Sequence, residues 1–347
     1  MADTASTIPP RADDPAYNHE YATVNGIRMH YIDVDPRDGV PVVLVHGWPD
    51  LWYGWRHQIQ ALRATYRVIV PGVVRVPFHP HLPTLHLDNR GFGETESPLS
   101  PASYGRKTIA TDLVHLLDHL DIQHAVFIGH DWGGVVVWRM CQYFPERVLA
   151  VASICTPYVP RPKALLPWAT FLDHMPNFKY QHVLVAPNAG DAFDKHARAA
   201  FRYLFGTPVA NDFGSLYENL VHLDKLEFAP GATSPLVDEI DLAYYVEQYT
   251  KRGFATSLHW YKQYERDWDE SANAPTELRH PVLYIGAGKD IALPPALSAG
   301  MERVIPNLTR RVIENGGHWL GIEAPREVNH MLLEWLTHVM PPTSPRL

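Results

Sequence analysis

The chain has 347 residues, too many for one minimal core and suited to one large domain or a core with an inserted subdomain. Its make-up of 46% hydrophobic, 11% aromatic and 20% charged residues is that of a folded globule, and it argues against a disordered or low-complexity chain. A formal charge of −8 with no basic stripe argues against a nucleic-acid partner, and no apolar run approaches the roughly 20 residues a spanning helix needs. The first residues, MADTASTIPPRADDPAY, are polar and acidic and lack the apolar centre of a signal peptide. Cys141 and Cys155 sit among apolar neighbours and read as buried free thiols of a reducing, cytoplasmic compartment. The sequon at Asn307 then reads as a chance match, and the terminal Pro-Arg-Leu only weakly resembles a peroxisomal address.

Taken in order, residues 1–20 read as a polar tail, and Val24 to Asp33 as a hairpin turning at Asn25-Gly26. "PVVLVHG" predicts a buried strand, Trp52 to Ala64 a helix, and "YRVIVP" the next strand. A helix over 106–120 follows, with Ile109, Leu113, Leu116, Leu117 and Leu120 on one face. Then come "AVFIGH" as strand, 132–144 as helix and "VLAVASI" as strand. From about Pro157 to Pro275 prolines, tyrosines and helical segments replace the alternation. Strand and helix resume with "PVLYIGAGKD", "TRRVIENGGH" and a last helix over 325–339. The expected fold is α/β: a mostly parallel, doubly wound sheet formed by 21–156 and 276–347, interrupted by a helical cap over 157–275.

In an open parallel sheet the loops at the carboxyl ends of the strands converge on one edge. Four such loops carry reactive residues: "HGWPD" at 46–50, "GHDWGG" at 129–134, "GAGKD" at 286–290 and "NGGHW" at 315–319. Between a buried strand and a helix, a glycine-bracketed residue stands on a sharp turn, and here that residue is Asp131. Asp131, Asp290 and His318 follow in the order nucleophile, acid, base. Each has a plainer rival: Asp131 as a helix N-cap, Asp290 as a turn residue, His318 as one of 20 histidines. His46, Gly47 and Pro49 read as shaping their loop, and His130 as structural.

These motifs resemble those of the α/β-hydrolase-fold epoxide hydrolases, from about Tyr21 to Val339. The likeness rests on His46-Gly47-Trp48-Pro49, Gly129-His130-Asp131-Trp132-Gly133-Gly134, Lys289-Asp290 and Gly317-His318-Trp319. It also rests on two cap segments, "FKYQ" and "HWYKQYERDW", which place the family's two tyrosines at Tyr180 and Tyr261. The cap offers Tyr203, Tyr217, Tyr244, Tyr245, Tyr249 and Tyr264 as alternatives. The resemblance implies conversion of a small apolar epoxide and water to a vicinal diol, with no metal or organic cofactor. Asp131 would form a covalent ester, the tyrosines would give the departing oxygen a proton, and His318, oriented by Asp290, would activate water. The backbone N–H groups of Trp48 and Trp132 would hold the oxyanion. Haloalkane dehalogenation on the same Asp-His-Asp triad and a catalytically silent binding protein are the alternatives. A fluoroacetate-type dehalogenase would be expected to carry an arginine at position 132.

One stretch departs from the family. Residues 72–87 lie between the strand and the Arg-Gly-Phe-Gly turn that follow each other almost directly in relatives, an insertion of about 16 residues. Its histidines, His79, His81 and His86, lack the carboxylate or cysteine partners of a zinc-like site. Deleting the segment would restore Pro71-Asp88-Asn89-Arg90-Gly91-Phe92-Gly93, so we read it as a retained intron or an error in the gene's exon boundaries.

Overall fold

A computed structural model describes residues 8–71, 89–93 and 95–340. The segment 72–87, with its three histidines, lies outside the described residues, as does the C-terminal tripeptide.

Eight strands form one sheet: β1 (His19–Val24), β2 (Ile27–Val34), β3 (Pro41–Val45), β4 (Arg67–Pro71), β5 (Ala125–His130), β6 (Val148–Ile154), β7 (Val282–Ala287) and β8 (Leu308–Ile313). Their spatial order is β1-β2-β4-β3-β5-β6-β7-β8. The first two pairings, β1 with β2 and β2 with β4, are antiparallel, and every pairing from β4 to β8 is parallel. The sequence accounts for this division. At the β1–β2 turn Asn25 and its successor both take positive φ, 44° and 76°, the two-residue geometry whose twist suits antiparallel neighbours. By contrast, β5 and β7 are buried at every residue, the uninterrupted apolar reading of strands covered on both faces.

Helices α1 (Arg56–Leu62), α2 (Arg106–His119) and α3 (Trp132–Tyr143) connect the first strands. The segment from Trp52 opens as a 3-10 turn over Trp52–Trp55, becomes α-helical at Arg56 and stops at Leu62, slightly short of the expected end. Between β6 and β7 lie α4 (Trp168–His174), α5 (Gln181–Val185), α6 (Ala189–Lys195), α7 (Ala197–Leu204), α8 (Leu216–Val221), α9 (Glu239–Arg252) and α10 (Tyr264–Glu270). The sole β feature described in this stretch is the isolated bridge Val209–Phe228. Helices α11 (Leu320–Glu323) and α12 (Pro325–Val339) close the chain against the sheet. No helix among the described residues is long and apolar enough to cross a membrane.

Buried ion pairs pin the loops that matter for the site. Arg90 donates twice to Asp112 of α2, at 2.8 and 2.7 Å, while Asn25 donates to the same carboxylate at 2.8 Å. The Arg-Gly-Phe-Gly turn, the hairpin tip and α2 are thereby tied together, and removing one partner would strand a charge in the interior. Residues 8–18, within the stretch read as a polar tail, are docked rather than free. Tyr17 is buried, and Arg11 reaches Asp238 and Asp241 at the start of α9, each at 2.6 Å.

Candidate active site

The strand–turn–helix run β5–Asp131–α3 presents Asp131 at the carboxyl edge of the sheet. Its backbone takes φ 51° and ψ −123°, a conformation few non-glycine residues adopt and one that costs strain. Crowding at the turn explains the flanking glycine: a Cβ on Gly133 would lie 1.9 Å from the Val45 carbonyl oxygen. The Asp131 side chain makes no N-cap bond to α3. Instead Oδ1 accepts from the Trp48 backbone N–H at 2.8 Å, and the adjacent Trp132 N–H also favours the ionised carboxylate. Thr156, just beyond β6, holds the Asp131 carbonyl through its hydroxyl at 2.7 Å.

The loop after β3 supplies the Trp48 N–H because residue 47 can approach the carboxylate closely. A Cβ at Gly47 would meet Asp131 Oδ1 at 2.2 Å, so any side chain there would displace the acid. The Trp48–Pro49 peptide is cis. His46 is buried, donates from Nδ1 to the Gly47 carbonyl at 2.9 Å, and burial lowers its pKa to about 4. It is therefore a neutral buttress of the loop.

His318 and Asp290 arrive from the loops after β8 and β7. His318 Nδ1 donates to Asp290 Oδ2 at 2.8 Å, and its Nε2 faces Asp131 Oδ2 at 3.7 Å. Asp290 Oδ1 accepts from the backbone N–H groups of Ala292 and Leu293 at 2.9 and 2.8 Å. Burial pushes the Asp290 carboxyl upward, but His318 and these bonds outweigh it and hold it at about 2. For His318 burial acts downward; the charge and hydrogen bond of Asp290, then the charge of Asp131, overcome it and raise the pKa to about 9. Burial raises the Asp131 carboxyl, opposed by the His318 charge and the two N–H donors. At neutral pH the trio is a buried cation between two carboxylates.

A stability consequence follows. His318 has a higher pKa folded than the ordinary 6.5, so its favourable contribution is complete below pH 6.5 and is lost as pH rises through about 9. The melting temperature of the wild-type chain should therefore fall more steeply over that interval than that of His318→Gln. Parallel curves in thermal melts would contradict the assigned ion pair.

Tyr180 at the head of α5 and Tyr261 in the 3-10 stretch Ser257–Gln263 are both buried, with ring centroids 6.4 Å apart. The Tyr261 ring stands edge-on to Trp132 at 5.0 Å and to Trp48 at 5.6 Å, directly over the elbow. Burial, reinforced by the Asp131 charge, raises both phenols, so each keeps its proton at any physiological pH. Asp131, Trp132, Tyr180 and Tyr261 line one cavity of about 340 Å³, otherwise walled largely by aliphatic and aromatic side chains. Of the alternative tyrosines, Tyr264 also lines it, but its hydroxyl donates to the Leu166 carbonyl at 3.2 Å. Tyr245 donates to Asp50 at 2.7 Å, and Tyr244 accepts from the Trp52 indole at 2.9 Å.

His130, read above as structural, and two residues the sequence marked only weakly complete the surroundings. His130 donates from Nε2 to the His318 carbonyl at 2.7 Å, and burial lowers its pKa to about 3, so a neutral imidazole fixes the main chain of the catalytic loop. Asp50, behind the elbow, is pushed up to about 6 by burial. Its sequence signal was its place at the end of "HGWPD". Thr156 had only a threonine-proline step after a buried strand to mark it.

An eight-stranded, mostly parallel sheet with an acid–histidine–acid constellation at its carboxyl edge defines an α/β hydrolase. The alpha/beta hydrolase fold family matches residues 40–325. Among named proteins, the chain is 35% identical over 340 residues to bifunctional epoxide hydrolase 2 of Mus musculus, covering 94% of this chain and 57% of that one. It thus spans little more than half the length of the mammalian relatives it matches. It is 32% identical over 324 residues to epoxide hydrolase A of Mycobacterium tuberculosis, covering 90% of this chain and 95% of that one. The crystal structure of epoxide hydrolase A from Mycobacterium thermoresistibile superposes with a TM-score of 0.75 at 28% identity, covering 92% and 98% of the two chains. The chain belongs to the α/β-hydrolase-fold epoxide hydrolase family.

Proposed function

We propose that this chain hydrolyses epoxides to vicinal diols through an ester on Asp131. The observation that carries the reading is a strained-elbow carboxylate, held by the Trp48 N–H at 2.8 Å and facing His318 at 3.7 Å, beneath two buried phenols.

An epoxide offers a strained C–O bond and no carbonyl, so a carboxylate that is already ionised suits it better than a hydroxyl needing a base. An Asp131 oxygen bonds to one ring carbon as the C–O bond breaks, and the electron pair leaves on the ring oxygen. Tyr180 and Tyr261 supply the hydrogen bonds and the proton that this alkoxide requires. Esterification removes the Asp131 charge, which is one of the influences raising His318. The imidazole thus loses its proton more readily once the ester exists; that proton replaces, through solvent, the one the phenol gave to the ring oxygen, and the neutral imidazole is a base at the step that needs one. Water then gives a proton to His318 Nε2 and adds to the ester carbonyl. The oxyanion falls to the N–H groups of Trp48, already bonded to the carboxylate, and of Trp132 beside it, each worth roughly 3–4 kcal/mol in such a role. Collapse expels the diol oxygen, which takes the proton from His318; the acid proton left on Asp131 then passes to the imidazole and restores the carboxylate and the imidazolium.

The domain division fits this scheme: residues 21–156 and 276–347 supply nucleophile, base and orienting acid, and the cap over 157–275 supplies the two phenols and the apolar wall. Haloalkane dehalogenation is less well served: the Trp132 indole N–H has no acceptor among the described residues and would suit a halide, but two phenols stand over the elbow where the halide would leave.

A single turnover in heavy-oxygen water tests the reading. The first diol should carry ordinary oxygen from Asp131, with the label retained in the protein. Label appearing directly in that diol would exclude the ester.

A further inference from the structure

We propose that Arg106 forms an anion subsite in the wall of the catalytic cavity, which selects epoxides bearing a carboxylate a few bonds from the ring. The inference rests on the epoxide-hydrolysing reading above.

Arg106 is the first residue of α2, is only 3% exposed, and lines the cavity that holds Asp131 and Tyr261. Its guanidinium lies over the Trp132 indole, with Cζ 4.2 Å from the ring centroid. Nε and Nη1 have no hydrogen-bond acceptor among the described residues. A buried guanidinium keeps its charge, and one left without acceptors is costly unless a ligand completes it.

The surrounding charges leave room for an anion. Asp267 is the nearest carboxylate and forms an ion pair with Arg106 Nε at 4.0 Å without a hydrogen bond; its Oδ2 is bonded by Arg139 Nη2 at 3.1 Å, and its Oδ1 has no donor among the described residues. Glu270, the next acid, is held by Arg266 at 2.6 Å. Arg161 also lines the cavity, stacked on Trp268 at 3.6 Å. The wall therefore carries Arg106, Arg139 and Arg161 against Asp267 and Asp131, the last sharing the His318 charge with Asp290. Burial works against the Arg106 charge, and Asp267 is the main influence opposing that effect.

Geometry limits the substrate. A single indole separates Arg106 from the elbow, because Trp132 touches Asp131 through its backbone and Arg106 through its ring. A carboxylate on Arg106 with its epoxide carbon behind Asp131 must have a short spacer.

The test compares an ω-epoxy acid whose carboxylate stands two carbons from the ring with its primary amide, using styrene oxide as the neutral reference. The wild-type chain should favour the acid in kcat/KM by about 30-fold, expressed mainly in KM. In Arg106→Met the acid-to-amide ratio should fall to about one, and in Arg106→Lys it should be intermediate. A ratio near one in the wild type, or a ratio that survives Arg106→Met even as total activity falls, overturns the subsite and leaves Arg106 as a support for Trp132. If the wild type turns over neither styrene oxide nor the acid, the proposed function fails, and calorimetric titration with the saturated acid and its amide decides the subsite alone. Binding of that acid, lost in Arg106→Met, supports it; equal affinity for acid and amide refutes it.

Discussion

His318→Gln should convert the protein from a catalyst into a trap. In the proposed scheme ring opening needs the Asp131 carboxylate and the phenols, none of which this change removes, whereas hydrolysis needs the imidazole Nε2 that faces Asp131 at 3.7 Å. Steady-state turnover should fall on the order of a thousand-fold or more, the range associated with loss of a positioned base. On mixing with an epoxide, the intact mass of the variant should rise by that of one substrate, and peptide mapping should place the addition on Asp131. The glutamine keeps the approximate shape of the ring and an amide able to face Asp290, so the loop has no reason to collapse. An unmodified variant that retains turnover would remove both residues from their proposed roles. An adduct elsewhere would move the nucleophile.

Replacing both Tyr180 and Tyr261 with Phe should act one step earlier. The two rings sit 6.4 Å apart over the elbow, so either hydroxyl alone can still reach an oxygen held between them. Each single variant should lose roughly 10- to 100-fold in the rate of ring opening, and the double variant on the order of a thousand-fold or more. Little apolar contact is lost, since both rings remain, and a thermal melt should show the double variant folded. Adding His318→Gln to this double variant supplies the sharper reading. With alkylation slowed, the ester should no longer build up in rapid-mixing experiments. Accumulation at the original rate would show that other groups protonate the leaving oxygen.

These two results separate chemistry that was legible in the chain from chemistry that was not. Asp131, Asp290 and His318 stand out in the sequence because each lies in a loop just beyond a strand and within two residues of a glycine, and such a pattern is local. Their mutual distances are set by β5, β7 and β8, whose parallel register places the three strand ends along one edge. The cap is different. Its tyrosines were located by likeness to relatives, because helical segments rich in Tyr, Trp and Pro have no local mark distinguishing a phenol that faces the cavity from one that packs. Tyr245 and Tyr261 are equally buried, yet one is spent on Asp50 and the other stands over Trp132. Arg106 is the extreme case. In the sequence it is an unremarked basic residue at a helix start, where a positive charge is ordinarily unfavourable.

The sequence by itself determined the fold class, the order of its strands and helices, and the acid–base constellation at the sheet edge. It could do so because alternation of apolar runs with glycine-marked turns is written in adjacent residues. Tertiary structure alone decided which way the cap's side chains face, how strongly each acid and imidazole is shifted, and that a guanidinium is buried beside Trp132 with two nitrogens that have no hydrogen-bond acceptor among the described residues. Burial and electrostatics depend on neighbours from distant parts of the chain: Trp132, Arg139 and Asp267 meet Arg106 only after α2, α3 and α10 have packed together.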